Sequence, residues 1–278
     1  MKKIVAVFLA VCMIELLTLP AYALDLENNK YILASEYKSA DSEVQKRIEQ
    51  DCNSFSQMGL DKEWVRIVKI DGVDDREILY AVCSMDNTAY VTLSYHAGAI
   101  IANMSDPDGK TTELIYISPT NIWINGQRVA FETEEVEVAQ QLNTARMHNR
   151  QYSTTPLYGS ASEYTKNRYY KEKQSVTFSN FIKELVWSAI AVVIAAAFSA
   201  AGMPGITAEI ISGLATAVAN AADSAPSSTV GSFYYYGSEH ITSIGADRQY
   251  KYEGRFYLQE GLKGASSPFT YYCHSYYS

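Results

Sequence analysis

The first clear rhythm along the chain is helical. Val44, Ile48, Cys52 and Phe55 recur at spacings of four, four and three, which lines one apolar face of a helix between Ser39 and Met58. Asp41, Ser42 and Glu43 supply capping chemistry at its start, and Gly59 supplies a stop. From Trp64 to Ile70 the pattern becomes strand-like and ends at Asp71-Gly72. Glu77 to Met85, Thr88 to Met104 and Thr112 to Ser118 are further strands, separated by the turn formers Asp86-Asn87 and Asp106-Pro107-Asp108-Gly109. Ile122 to Phe131 reads as a hairpin about a two-residue Asn125-Gly126 turn. Glu134 to His148 returns to a helical pattern, with an acidic start and Arg146 near its end, as the helix dipole favours.

The stretch from Leu185 to Met203 has no rhythm, because nearly every position is apolar and none is charged. As one helix it would be about 28 Å long, close to the roughly 30 Å hydrocarbon core of a bilayer. Pro204-Gly205 breaks it, and Ile206 to Ala222 continues as a second apolar helix carrying Glu209 and Asn220. The pair reads as a hydrophobic helical hairpin over about 180–222. Small residues repeat every fourth position at Ala191, Ala195 and Ser199, and at Gly213 and Ala217, a spacing that lets helix backbones approach closely. Lys166, Arg168, Lys171, Lys173 and Lys183 precede the apolar run that starts at Leu185, and no Lys or Arg follows it until Arg248. That placement is reversed for a simple outside-in span. It suits either a core hairpin or one that enters a membrane from outside, with its basic flank on anionic headgroups.

After the small-residue segment Ser224 to Thr229 the chain turns aromatic. Phe233, Tyr234, Tyr235 and Tyr236 run together. Tyr250, Tyr252, Phe256 and Leu258 then occupy one face of a strand, with Lys251, Glu253 and Arg255 on the other. Gly261 and Gly264 turn the chain into a last aromatic strand, Phe269 to Tyr277. Tyr234, Tyr235, Tyr236, Tyr250 and Tyr252 are candidate anchors at a lipid interface or stacking platforms for sugars; the alternative places them over a core. The whole pattern predicts an α+β fold: an N-terminal helix and antiparallel meander, then the helical hairpin with Tyr-rich strands. The first part is similar in outline both to cystatin-like folds and to nuclear-transport-factor-like folds, no motif selects either, and the outline implies nothing about activity.

Composition sharpens the division. Lys2 and Lys3, the apolar run Ile4 to Leu19, and Ala21-Tyr22-Ala23 after Pro20 read as a secretory signal peptide, residues 1–23. The net charge of −8 for the whole chain argues against nucleic acid as a partner. Acidic residues concentrate in 24–150, whereas 151–278 is neutral and holds most of the 22 tyrosines. Three regions are therefore expected: 1–23, an acidic 24–150, and 151–278. In an oxidising compartment Cys52 and Cys83 are expected to pair, leaving Cys273.

Catalytic chemistry is not visible. His96, His148, His240 and His274 are scattered, and adjacent Asp74-Asp75 reads as a turn. No zinc, phosphate-loop, dinucleotide or nucleophile-elbow pattern occurs. No metal, cofactor or enzymatic role is expected. The hairpin resembles, in kind, the Ala-rich hydrophobic hairpins of pore-forming colicins and the apolar segments of secreted bacteriocins, over roughly forty residues; a signal peptide is a departure from colicins. That resemblance implies a secreted membrane-active protein. Leu185, Trp187, Ile190, Val193, Ile194 and Phe198 would be its inserting residues and anionic membrane lipid its partner. The alternative is a non-catalytic extracellular binding or adhesion protein with the hairpin as buried core.

Overall fold

The structure, a computed structural model, describes residues 31–71, 77–84, 87–133, 149–177, 185–201, 203, 206–222, 230–245, 247–259 and 261–276. The expected signal peptide, the Asp74-Asp75 turn, the helix at 134–148, the Pro204-Gly205 break and the small-residue segment at 224–229 lie outside them. The described chain is mixed, largely antiparallel sheet with three α-helices among the described residues. It divides into two compact units, Met1–Ile115 with Glu184–Ala189, and Tyr116–Lys183 with Ile190–Ser278. The composition break near residue 150 falls inside the second.

In the first unit, α1 (Ser42–Gln57) starts at Asp41, whose carboxylate accepts from the Glu43 and Val44 amides at 2.7 and 3.4 Å. This satisfies amides that the helix itself leaves without partners. Strands β1 (Ile32–Leu33), β2 (Val65–Asp71), β3 (Glu77–Cys83), β4 (Thr88–His96), β5 (Ala99–Ser105) and β6 (Thr111–Ser118) lie in sequence order, each antiparallel to the last where registers are defined. The single strand expected over 88–104 is two strands. Ala97 and Gly98 take φ of 49° and 83° and reverse the chain between them, a left-handed pair that a two-residue hairpin requires.

The helix is pinned by a buried charge. Asp51, 0% exposed, lies on the apolar face of α1 beside Ile48 and Phe55. Its carboxylate accepts from Tyr80 Oη and Tyr95 Oη, each at 2.7 Å, and from Arg47 Nε at 2.8 Å. Arg47 also donates to the Leu93 carbonyl and lies over the Tyr95 ring. Burial and the adjacent carboxylate push both phenols up, so they remain neutral donors.

The cysteines correct an expectation. Cys52, Cys83 and Cys273 are all thiols, and the Cys52–Cys83 bridge is not formed. Tyr80 reaches α1, and Ile78, Tyr80 and Val82 form one face of β3. Cys83, an odd number of residues away, points to the opposite face. Burial raises both the Cys52 and Cys83 thiols, which keeps them protonated and unreactive.

In the second unit, β7 (Asn121–Ile124) and β8 (Gln127–Arg128) form the Asn125-Gly126 hairpin, with φ of 47° and 76° at the turn. Its second arm ends sooner than the sequence pattern suggests. Ala130 to Thr133 is a separate strand, β9, in another sheet. That sheet also holds β10 (Asn149–Ser153), β11 (Tyr164–Thr177), β12 (Val230–His240), β13 (Arg248–Gln259) and β14 (Lys263–Tyr276), in the order β10-β14-β13-β12-β11-β9. Gly254 is required in β13. A Cβ there would lie 2.0 Å from the Tyr234 carbonyl oxygen and 2.7 Å from the Phe269 ring.

Helices α2 (Trp187–Ala200) and α3 (Ala208–Ala222) follow β11 in the chain. The apolar run is thus a helix of 14 residues, about 21 Å long. No helix among the described residues is long and apolar enough to cross a membrane. Trp187 to Ile194 and Ala196 to Phe198 are buried. The Val186 amide, just before α2, donates to Thr112 Oγ1, and the Trp187 ring lies 5.9 Å from that of Trp64. The Phe198 ring lies 4.4 Å from Phe233 and 5.1 Å from Phe269, on one face of the second sheet. In α3, Ile211, Leu214, Ala215 and Val218 are buried. Gly213 is exposed, with nothing near its missing Cβ, so it does not mediate the close helix approach its spacing suggested.

The Asp51 network yields a direct prediction. Asp51→Ala leaves the buried Tyr80 hydroxyl without its acceptor, takes one partner each from Tyr95 and Arg47, and should cost about 3 kcal/mol in urea unfolding. A loss below about 1 kcal/mol would mean that water replaces the carboxylate and that the network does not hold the helix.

Candidate binding surface

The second sheet has two chemically different faces, set by strand alternation. The inner face carries Phe233, Tyr235, Tyr252, Phe256, Phe269 and Tyr271, all buried. Tyr252 and Tyr271 stack at 4.8 Å. Of the five tyrosines singled out from sequence, Tyr235, Tyr250 and Tyr252 belong here, only 2–5% exposed. They are core and cannot meet a ligand. Their assignment as surface aromatics is corrected. All six residues singled out as inserting, Leu185, Trp187, Ile190, Val193, Ile194 and Phe198, are likewise buried.

The outer face is where Tyr234 and Tyr236 lie. The register places side chains in cross-strand rows: Ser232, Tyr257 and Ser266; Tyr234, Arg255 and Pro268; Tyr236, Glu253 and Thr270; Ser238, Lys251 and Tyr272; then Gln249 beside His274. Tyr236 is 45% exposed. The Tyr234 ring lies 5.6 Å from Tyr236 and 6.1 Å from Tyr257. Arg255 reaches across to Ser266 Oγ at 2.8 Å, and Lys251 pairs with Glu253. The result is a patch of three tyrosine rings flanked by donors and acceptors; farther along the same face Ser238, Tyr272, Gln249 and His274 are buried.

At the β12–β13 end the face carries a histidine cluster. His240 Nε2 lies 3.3 Å from Glu163 Oε2, and Nδ1 lies 2.7 Å from Thr242 Oγ1. The Thr242 amide donates to Nδ1 at 3.2 Å, so Nδ1 accepts and Nε2 carries the proton toward Glu163. His274 Nε2 lies 2.7 Å from Asp247 Oδ1, with Tyr158 edge-on to the ring and Tyr276 stacked on it. On the inner face, buried Glu239 accepts from Arg248 Nη1 at 2.9 Å and from Asn167 Nδ2 at 3.2 Å. Burial, then the Glu239 carboxylate, pushes Tyr250 up to about 12.

The order Glu163, His240, Thr242 has the atoms of an acid–imidazole–hydroxyl relay, which scattered histidines in the sequence did not suggest. It lacks the rest of an acyl-transfer site. The nearby amides are committed: Thr242 to His240 Nδ1, Ser243 to the His240 carbonyl, and Ile244 and Asp247 to each other's carbonyls. No pair of these amides remains to stabilise an oxyanion. The arrangement fastens a turn. A cleft of about 60 Å³ beneath α3, lined by Leu214, Val218, Phe256 and Leu258 with Ser266 and Ser267, is mostly apolar and far below the roughly 300 Å³ of the smallest usual ligand pockets. Among the described residues no three His, Cys, Asp or Glu side chains gather as a metal site. Comparison with family models, with curated proteins and with solved structures finds no match to this chain.

Glu163 offers a pH test. The Ser160 amide, then His240, hold its carboxyl below the ordinary value. A depressed folded value adds stability above the ordinary carboxylate pKa and loses it as pH falls through the folded value. Glu163→Gln should therefore destabilise the protein at neutral pH, with the difference from wild type closing in acid, in urea midpoints measured across pH. A difference that widens on acidification would contradict the assignment.

Proposed function

We propose that the chain is an exported, non-catalytic binding protein that takes a glycan chain along the outer face of its second sheet. The carrying observation is the sorting of the tyrosines: Tyr235, Tyr250 and Tyr252 fill the core while Tyr234, Tyr236 and Tyr257 form a ring patch on the other face. Phenol rings offer flat apolar faces with polar edges, which matches the alternation of C–H faces and hydroxyls on a sugar. Arg255, Ser266 and the Lys251–Glu253 pair supply hydrogen-bonding groups beside the rings. A flat open patch of rings suits a segment of a polymer better than a small molecule needing enclosure.

The membrane-inserting alternative asks more of the molecule. Leu185, Trp187, Ile190, Val193, Ile194 and Phe198 would have to leave a packed core in which each contributes roughly 1.5–3 kcal/mol. Together that is comparable with the whole stability of a domain, about 5–15 kcal/mol.

Calorimetric titration with soluble polysaccharides of differing charge tests the proposal. At least one should bind, and Tyr234→Ala with Tyr236→Ala should weaken it by about tenfold or more at unchanged thermal stability, because stacking contacts of this kind are worth about 0.5–1.5 kcal/mol each. Absence of binding across the panel, together with dye leakage from vesicles that Ala195→Asp abolishes in a folded variant, would overturn it in favour of insertion.

A further inference from the structure

Three charged side chains of β13 stand on the outer face of the second sheet, and two of them cancel. Lys251, Glu253 and Arg255 alternate along the strand and so share a side with Tyr257. Glu253 lies between the two cations, and its carboxylate pairs with Lys251. Arg255 is left with a neutral acceptor, Ser266 Oγ at 2.8 Å. That bond uses one of five N–H donors and leaves the charge in place, because a guanidinium does not titrate in proteins. Among the described residues no carboxylate lies within ion-pair distance of Arg255.

This remaining cation sits among the rings. Its cross-strand row runs from Tyr234 through Arg255 to Pro268, with Tyr257 in the row on one side and Tyr236 in the row on the other. Arg255 and Pro268 are exposed. Burial, then the Tyr257 and Tyr236 phenols, pushes the Tyr234 hydroxyl up, with Arg255 acting in the opposite direction. The Tyr234 phenol is therefore a neutral donor at neutral pH and does not repel an anion. Glu163 and Asp247 keep their charges, but they lie at the row of His240, Gln249 and His274. Gln249 is six residues from Arg255 along β13, about 20 Å at strand rise, more than twice the roughly 8 Å screening length of physiological salt. Residues 151–278 are neutral as a whole, so no net negative field of their own opposes an anionic ligand.

A sugar stacked on Tyr234 carries its substituents at the rim of its ring, one strand spacing, about 5 Å, from Arg255. The planar fork of a guanidinium matches a carboxylate or a sulfate there and gains little from a hydroxyl. We propose that Arg255 makes the tyrosine patch selective for an acidic polysaccharide, its guanidinium pairing with a carboxylate or sulfate on a sugar stacked against Tyr234. This role rests on the glycan reading of the same patch and adds the charge of the ligand to it.

Two matched pairs of polymers test the selectivity by calorimetric titration of the full chain: polygalacturonate against its methyl ester, and dextran sulfate against dextran. The acidic member of at least one pair should bind about tenfold or more tighter than its neutral counterpart, and the difference should shrink with salt. Which pair shows it separates carboxylate from sulfate recognition. Arg255→Gln should lower affinity for the acidic polymer to that for the neutral one and leave the neutral affinity and the circular dichroism spectrum unchanged, because the side chain is exposed. Arg255→Lys, which keeps the charge without the fork, should recover part of the loss. Lys110→Gln removes an exposed cation of the first unit and should change neither affinity. Equal binding of acidic and neutral members in both pairs would overturn the selectivity and, where Tyr234→Ala with Tyr236→Ala abolishes that binding, leave the glycan reading standing. An acidic preference that survives Arg255→Gln, or that Lys110→Gln reduces equally, would also overturn it. Failure of every polymer to bind would remove both readings together.

Discussion

A helix that is apolar on every side has no face to show water, and the chain must surround it. That constraint shapes α2. Trp187 to Ile194 and Ala196 to Phe198 are buried, and polar groups along the run find partners: the Val186 amide bonds Thr112 Oγ1, and Ser188 Oγ sits 3.1 Å from Met104 Sδ. Seven alanines between Leu185 and Met203 keep the rod slim. Its larger side chains, Trp187 and Phe198, each meet aromatic partners. The inner face of the second sheet is aromatic because Phe198 and its neighbours need a broad apolar floor. The outer face of the same strands is then free to carry Tyr234, Tyr236, Lys251, Glu253 and Arg255.

Buried charge plays a second, separate role in each unit. Asp51 ties α1 to β3 and β4 through Tyr80 and Tyr95, and Glu239 ties β12 to Asn167 and Arg248. Neither carboxylate is left unpaired, as its burial requires. Each holds neighbouring elements together through its hydrogen bonds. The histidine–carboxylate pairs at the β12–β13 turn extend this logic to the surface, where they fix the direction of a loop.

Sequence patterning made a mixed chain of helices and antiparallel strands legible. The face of α1 follows from Val44, Ile48 and Phe55, and the Asn125-Gly126 turn from its two residues. Alternation in Arg248–Gln259 correctly separates Tyr250, Tyr252 and Phe256 from Lys251, Glu253 and Arg255. Three features were hidden for physical reasons. β11 has three register shifts against β12, and each resets the two-residue period by which a strand is recognised. In Phe233-Tyr234-Tyr235-Tyr236 both faces carry rings, so pattern alone cannot say which tyrosines are core. The hydroxyl and imidazole partners of Asp51 and Glu163 lie 29, 44 and 77 residues away in the chain, and only the strand register brings them together. The opposite facing of Cys52 and Cys83 is of the same kind: parity along β3 decides it, and spacing in the sequence does not.

The account rests on α2 being permanent core. Native-state hydrogen exchange of its amides, with and without anionic vesicles, tests this most directly. Protection of Ile190 to Phe198 should equal that of the slowest-exchanging amides in the molecule and be unchanged by vesicles. Exchange through a lower-energy local opening, or protection altered selectively in α2 when lipid is added, would contradict it and return the helix to the membrane.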